Sequence, residues 1–225
     1  MTDSAQYPDT RADGAHIHWD AQWRTEEGRS AWGTPEPRVL EVIGTVRAMG
    51  GRRVLDVGCG IGRHTRALAE ARLETHGVDR SESGIVYARE LARKEGLDLR
   101  LRVTDFASLP YESESFDYVL AWNVVYHGTE DDLAAALGEI RRVLRPGGLY
   151  QSTMLSKRNS EYGKGTEISP NTFVQPGAAD DKVHPHLYCD MDDLLRLHRG
   201  LRLLDGSEIE QGRVGSYHWH LLFEK

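Results

Sequence analysis

Residues 54–64 read Val54-Leu55-Asp56-Val57-Gly58-Cys59-Gly60-Ile61-Gly62-Arg63-His64. Arg53–Val57 has the apolar character of a strand, and a helix-compatible stretch follows the glycines through Arg63–Arg72. Glycines at a strand-to-helix turn let the backbone pass close to a ligand, and the helix N-terminus offers unpaired N–H groups. The spacing is Gly-x-Gly-x-Gly, through Gly58, Gly60 and Gly62, and not the Gly-x-Gly-x-x-Gly of dinucleotide binders. Asp56, inside the strand just before the turn, would repel a pyrophosphate and attract an ammonium. The segment therefore points to a cationic, amino-acid-like ligand.

Outward from this turn, short apolar runs alternate with amphipathic stretches. Glu74–Asp79 reads as a second strand, Ser83–Glu95 as a helix with Ile85, Ala88, Leu91 and Ala92 on one face, and Leu99–Val103 as a third strand. Tyr118–Trp122 is a buried-strand run, and Glu130–Leu144 is a long helix stopped by Pro146-Gly147-Gly148. Leu149–Leu155 gives another strand. Alternation of this kind predicts a mostly parallel sheet covered by helices on both faces.

The strand ends carry a second and third ligand signal. Asp79 closes the second strand, where a carboxylate accepts both hydroxyls of a ribose. Thr104-Asp105-Phe106 follows the third, where a carboxylate accepts from an exocyclic adenine amine while a ring packs nearby. Three successive strand ends thus suit a nucleoside carrying an amino acid.

With these residues in view, the chain resembles the class I S-adenosylmethionine-dependent methyltransferases. The matching segments are Val54–Thr65, Gly77–Ser81, Val103–Pro110, Phe116–His127 and Ile140–Gly148, which together cover roughly residues 52–155. The resemblance implies an α/β, Rossmann-like, seven-stranded, mostly parallel sheet whose last strand, Ser216–Glu224, runs antiparallel. It implies S-adenosyl-L-methionine as cofactor. Asp56, Gly58, Cys59, Gly60 and Gly62 would meet its methionine moiety, Asp79 with its neighbour Arg80 the ribose, and Asp105 and Phe106 the adenine. Asn123 would lie below the sulfonium.

The rest of the chain bears on the acceptor. Trp19-Asp20-Ala21-Gln22-Trp23 with Ser30-Ala31-Trp32 is similar to the N-terminal lid of the small thiol and chalcogen methyltransferases, the tellurite-resistance and thiopurine group, and Trp19 would pack over the cofactor. Residues 1–15 are polar and expected to be loose, and 1–35 to close as a lid. Residues 156–188, rich in Gly, Pro, Asn and Ser, are expected to form a long functional loop, followed by a helix at Asp190–Arg199 and strands at Leu201–Glu208 and Ser216–Glu224. The whole is expected to be one domain, with a helical segment at 1–50, a cofactor-binding half at 51–155, and the substrate loop and closing strands at 156–225.

Ten histidines are many for this length. His127, just past the fourth strand, falls in the loop that meets the methyl acceptor in related enzymes, where a neutral imidazole takes a proton from a nucleophile. Tyr126, His184, His186, His218 and His220 are further candidates for contact with the acceptor. His218 and His220 share one strand face and are spaced to chelate. A metal needs three or four ligands converging at about 2 Å, and the default expectation is satisfied or surface histidines and no metal.

Charge and composition bound the partners. With 28 Lys+Arg against 35 Asp+Glu the net charge is −7, which disfavours a broad nucleic-acid-binding face; Arg141, Arg142 and Arg145 read as a solvated helix face. Asn123-Val124 is not the Asn-Pro-Pro-Tyr of base-modifying enzymes. No apolar run approaches the roughly 20 residues of a membrane span, and Met1–Asp9 lacks the features of a secretion signal. Two cysteines, Cys59 and Cys189, are too few for a disulfide framework or for arsenic binding. The expectation is a cytoplasmic monomer or homodimer that methylates a small molecule, a thiol or other soft nucleophile ahead of a natural-product amine or hydroxyl. A catalytically silent cofactor-binding protein is the reading from a different class, and a dehydrogenase a third.

Overall fold

The computed structural model describes residues 13–225. The loose segment expected at 1–15 falls for the most part outside the described residues.

The glycine-turn strand is β1 (Arg53–Val57). It pairs in parallel with β2 (Glu74–Asp79) on one side and β4 (Phe116–Ala121) on the other, and β3 (Leu99–Val103) adds to β2. The long strand β5 (Leu144–Ser156) pairs in parallel with β4. Beyond it lies β10 (Tyr217–Glu224), antiparallel to both β5 and β9 (Arg202–Glu210). Among the described residues the sheet has ten strands rather than the expected seven: the path β3-β2-β1-β4-β5-β10-β9 is the expected frame with its last strand reversed, and three further strands extend it from β5.

Side chains alternate across this sheet and build a core on each face. On β1, Leu55 and Val57 join one buried cluster with Val119 and Ala121 of β4 and with Leu133, Leu137 and Ile140 of helix α6 (Glu130–Val143). Val54, Tyr118 and Leu120 face the other way. They pack with Val39, Val42 and Val46 of α3 (Pro37–Ala48) and with Leu68 of α4 (Arg63–Glu70). Helix α5 (Glu82–Glu95) places Ile85 and Ala88 against Leu101 of β3. Two short helices precede these, α1 (Asp13–Arg24) and α2 (Glu26–Ser30).

Residues 156–188 do not form the expected irregular loop. They contribute β6 (Thr166–Ser169), β7 (Thr172–Val174), a 3-10 turn at Asp181–Val183 and the start of β8 (His186–Cys189), ahead of α7 (Met191–Leu197). β7 pairs antiparallel with both β6 and β8, and β8 runs parallel to the end of β5 through Leu155 and Ser156. Short three- and four-residue strands interrupted by Gly and Pro carry almost no periodicity, so their pairing is decided by tertiary contact rather than local pattern. The insertion also touches the loop after β4, where Leu187 N–H donates to the Tyr126 carbonyl at 2.9 Å.

Candidate active site

The glycine turn is shaped by its backbone. Gly58, Gly60 and Gly62 have φ of +67°, +50° and +82°, a region that disfavours a side chain. A Cβ on Gly58 would lie 2.2 Å from Cγ2 of Val124, so the turn and the loop after β4 approach each other as closely as bare backbone permits. Asp79 holds the turn from the next strand: Oδ2 accepts from Gly60 N–H at 2.7 Å and Oδ1 from Ser81 N–H at 2.7 Å. Burial raises its pKa above the usual carboxylate value.

Opposite these residues, Asn123 takes a left-handed conformation with φ of +57°. Its N–H donates to the Thr153 hydroxyl at 2.8 Å, and that hydroxyl donates back to Oδ1 at 2.9 Å. Both bonds fix the residue from β5 and hold the strained backbone in place.

The third wall comes from the N-terminal helices. Trp19 stacks on Trp23 with centroids 5.2 Å apart, and Trp32 meets Trp19 edge-on at 5.1 Å. Asp20 pins α1 to the start of α5, accepting from Ser81 Oγ at 2.8 Å and Ser83 N–H at 2.9 Å. Gly84 permits the fit, since a Cβ there would stand 3.0 Å from both Trp23 and the Gly60 carbonyl.

These walls enclose one continuous cavity. Gly58, Cys59, Gly60, Asp79, Arg80, Asp105, Phe106, Asn123 and Trp19 all line it, as does His127, whose ring lies 6.1 Å from that of Trp19. Trp23, Trp32, Arg63, His64 and Trp122 line it as well and were not singled out as ligand contacts. The repeated tryptophans at 19, 23 and 32 were the available signal for two of them.

Of the residues expected at the site, Asp56, Gly62, Tyr126, His184, His186, His218 and His220 are not on the cavity wall. Asp56 does not reach the cavity. It is buried beneath the turn, where Oδ2 accepts from Thr65 Oγ1 at 2.8 Å, and burial raises its pKa to about 7. Gly62 also stands back from the cavity, as the left-handed cap that starts α4. Both residues support the turn from behind because β1 alternates faces and Asp56 points into the protein. His218 and His220 do not line the cavity either. His220 packs edge-on to Trp122 at 4.7 Å with Nε2 3.1 Å from Gln211 Oε1, and His218 lies 6.1 Å from the Tyr126 ring. Tyr126 is buried behind the cavity wall, its ring 4.5 Å from His127.

His184 and His186 stand beside His127 rather than on the protein surface. All three are buried, with ring centroids 4.8–4.9 Å apart. Asp181, a residue the sequence reading passed over, joins them with Oδ2 3.3 Å from His186 Nε2. The spacing Asp181-x-x-His184-x-His186 was the signal that could have found it. Burial is the largest influence on His127 and carries its pKa well below the ordinary value, so the ring is neutral.

The basic residues of α6 and its flank are engaged by neighbours in the fold. Arg142 pairs with Glu139 at 2.7 Å, Arg145 with Asp117 at 2.5 Å, and Arg141 donates to the Arg199 carbonyl at 2.6 Å. No helix among the described residues is long and apolar enough to cross a membrane.

Comparison with known proteins agrees with this geometry. Residues 54–148 match the family described as methyltransferase domain. A 24-methylenesterol C-methyltransferase 2 of Oryza sativa subsp. japonica is 35% identical over 142 residues, which is 62% of this chain and 38% of that protein. The chain spans less than half the length of the curated relatives it matches. Among solved structures, the Burkholderia thailandensis 1,6-didemethyltoxoflavin-N1-methyltransferase, determined with bound S-adenosylhomocysteine, superposes with a TM-score of 0.70 at 18% identity, covering 99% of this chain and 92% of that one. TehB from Haemophilus influenzae gives 0.66 at 15%, covering 88% and 65%. Residues 54–148 thus match a methyltransferase domain, and the chain as a whole shares the fold of these solved structures.

Proposed function

We propose that this chain, built on the S-adenosylmethionine-dependent methyltransferase fold, is an enzyme that moves the sulfonium methyl of its cofactor onto a small molecule, with a thiol or other soft nucleophile as the acceptor class. The observation that carries the reading is the continuity of the cavity from Gly58, Gly60, Asp79 and Asp105 to His127 and the rings of Trp19 and Trp32. The first set suits a nucleoside amino acid, and the second adds aromatic rings and a neutral imidazole to the same cavity for an acceptor.

In the transfer, a lone pair of the acceptor attacks the methyl carbon in line as the carbon–sulfur bond breaks. The products are the methylated acceptor and S-adenosylhomocysteine. Holding the two partners in line can supply up to about 7–11 kcal/mol of the barrier. Asn123, locked by Thr153, would lie beneath a bound sulfonium, and the rings of Trp19 and Trp32 would shield the reacting atoms from water. His127 is the candidate catalytic residue for an acceptor that must lose a proton, with its Nε2 buried and unpartnered.

Two features favour a soft acceptor over an amine or hydroxyl. Burial opposes the imidazolium that His127 would become on taking a proton. A thiol, with an ordinary pKa of about 8.5, arrives partly ionised and needs no base. Sulfur also makes favourable contacts with aromatic rings, worth about 0.3–1.5 kcal/mol. For a hydroxyl or amine the same Nε2 would have to take the proton.

Transfer of a labelled methyl group to a panel of thiols, amines, phenols and carboxylates tests the proposal. Thiols are expected to lead. With a thiol, His127→Ala is expected to lose less than about tenfold in turnover, since general-base assistance of about 10²- to 10⁴-fold is not needed. Transfer to phenols or amines alone, with a larger loss in His127→Ala, would replace the soft-nucleophile reading. Tight cofactor binding without transfer to any class would favour a silent cofactor-binding protein.

A further inference from the structure

The wall behind His127 holds more basic nitrogen than the methyl transfer uses. His127 comes from the loop after β4, Asp181 from the 3-10 turn, His184 from the residue that ends that turn, and His186 from the first position of β8. One ligating atom of each lies within 4.8 Å of those of the other three. We infer that His127, Asp181, His184 and His186 form a binding site for one divalent transition-metal ion, Zn2+ foremost, which fastens the 156–189 insertion to the acceptor end of the cofactor cavity.

The hydrogen bonds set the ring nitrogens in the states a metal requires. His186 Nδ1 lies 2.8 Å from the His184 carbonyl oxygen, which only accepts, so the proton is on Nδ1 and Nε2 presents a lone pair. A backbone carbonyl on the far nitrogen is the usual partner of a metal-bound histidine. That Nε2 faces Asp181 Oδ2 at 3.3 Å, a lone pair against a carboxylate, which needs a cation between them. Lys182 now supplies it, with Nζ 2.8 Å from Asp181 Oδ1 and 3.4 Å from His186 Nε2.

The other two rings face each other through His184 Nε2 and His127 Nδ1 at 3.0 Å, close to the edge of about 3.3 Å between ligands of a tetrahedral ion at about 2 Å. Their remaining nitrogens, His127 Nε2 and His184 Nδ1, are buried without a partner. With one shared proton the facing pair is an imidazole hydrogen bond; with an ion on both facing nitrogens, the protons move to His127 Nε2 and His184 Nδ1. Imidazole with one carboxylate suits zinc, and softer or harder ions less. Three histidines and an aspartate fill a tetrahedral shell, which makes the site structural and closed.

An ion on His127 Nδ1 leaves the proton on Nε2. His127 then meets the acceptor as a hydrogen-bond donor rather than as a base, which agrees with an acceptor that arrives ionised. The ion site itself stands on the cluster and is independent of which acceptor is methylated.

The test is to strip the untagged chain with a chelator, load it with Zn2+, desalt it and count metal, then repeat with Co2+ as a spectroscopic probe. One Zn2+ per chain and the intense visible absorption of four-coordinate cobalt are expected. Asp181→Asn and His186→Gln are expected to weaken Zn2+ at least about tenfold while S-adenosylhomocysteine binding persists, which shows that the variants fold. Lys182→Met, which takes away the competing ammonium, is expected to tighten it. No retained ion in the wild-type chain, or only the weak spectrum of six-coordinate cobalt, overturns the inference without any variant. So does a stoichiometric ion that survives undiminished in the His184→Gln/His186→Gln pair.

Discussion

At Gly58 two constraints meet in one residue, a φ of +67° and a neighbour, Val124, with no room for a methyl group. Gly58→Ala is therefore expected to push the loop carrying Asn123 away from the turn and to weaken S-adenosylhomocysteine at least about tenfold, about 1.4 kcal/mol, by calorimetric titration. Val124→Ala in the same chain relieves the clash but not the strained φ, so partial recovery is expected. Full affinity in Gly58→Ala alone would show that the turn is more pliable than its contacts imply. Asp79 is the complementary case. Its two oxygens already hold Gly60 and Ser81, and Asp79→Ala removes charged hydrogen bonds worth about 1.5–3 kcal/mol each, predicting at least about a 10- to 100-fold loss of cofactor affinity. Asp56→Asn, by contrast, keeps the bond to Thr65 and touches no cavity wall, so a loss below about tenfold is expected. An equal loss in both variants would put Asp56 back in contact with the ligand.

At the scale of elements, what was legible in the sequence was what is local. Strands β1 and β3 lie where the apolar run Arg53–Val57 and the alternation of Leu99–Val103 place them, and α5 begins one residue earlier than expected, because Ser81 caps it through Gly84 N–H. The 156–189 insertion was not legible, since β7 has three residues and gains its partners only when β6 and β8 are beside it. The same limit hid Asp181, and it hid what His218 and His220 face: their common strand face was visible, but not the residues that this face would meet. The N-terminal tryptophans fared better, because an aromatic cluster has to bury itself somewhere. Their attachment is tested through Asp20, which anchors α1 to α5 by two bonds. Asp20→Ala is expected to expose α1 to protease and to reduce the protection that S-adenosylhomocysteine gives it, with a stability cost of about 1–2 kcal/mol. Cleavage at the wild-type rate would mean that the stacked rings, not Asp20, hold the helix.

For the molecule as a whole, the two cores enclose histidines that fold neutral, and this links stability to pH. His198 lies flat against Phe223 at 4.4 Å, and burial lowers its pKa to about 4; His220 is lowered to about 4 by the same cause, and His64 is also lowered. In the unfolded chain these rings protonate near 6.5, so between about 6.5 and 4 the unfolded state binds more protons and stability falls as pH falls. Asp56 works in the opposite direction. Its pKa is raised to about 7, so its folded form holds a proton that the unfolded form releases above about 4, and its contribution declines as pH rises. Asp79 is raised too, but the lowered histidines outnumber the two acids, so the thermal midpoint is expected to drop between pH 7 and pH 5. At pH 5 His198 alone accounts for on the order of 2 kcal/mol, or several degrees for a chain of this size. His198→Phe keeps the stack on Phe223 and removes one titrating group, so its midpoint should fall less over the same interval. A slope equal to the wild type's would mean that His198 takes up its proton in the folded state, against the apolar rings that surround it.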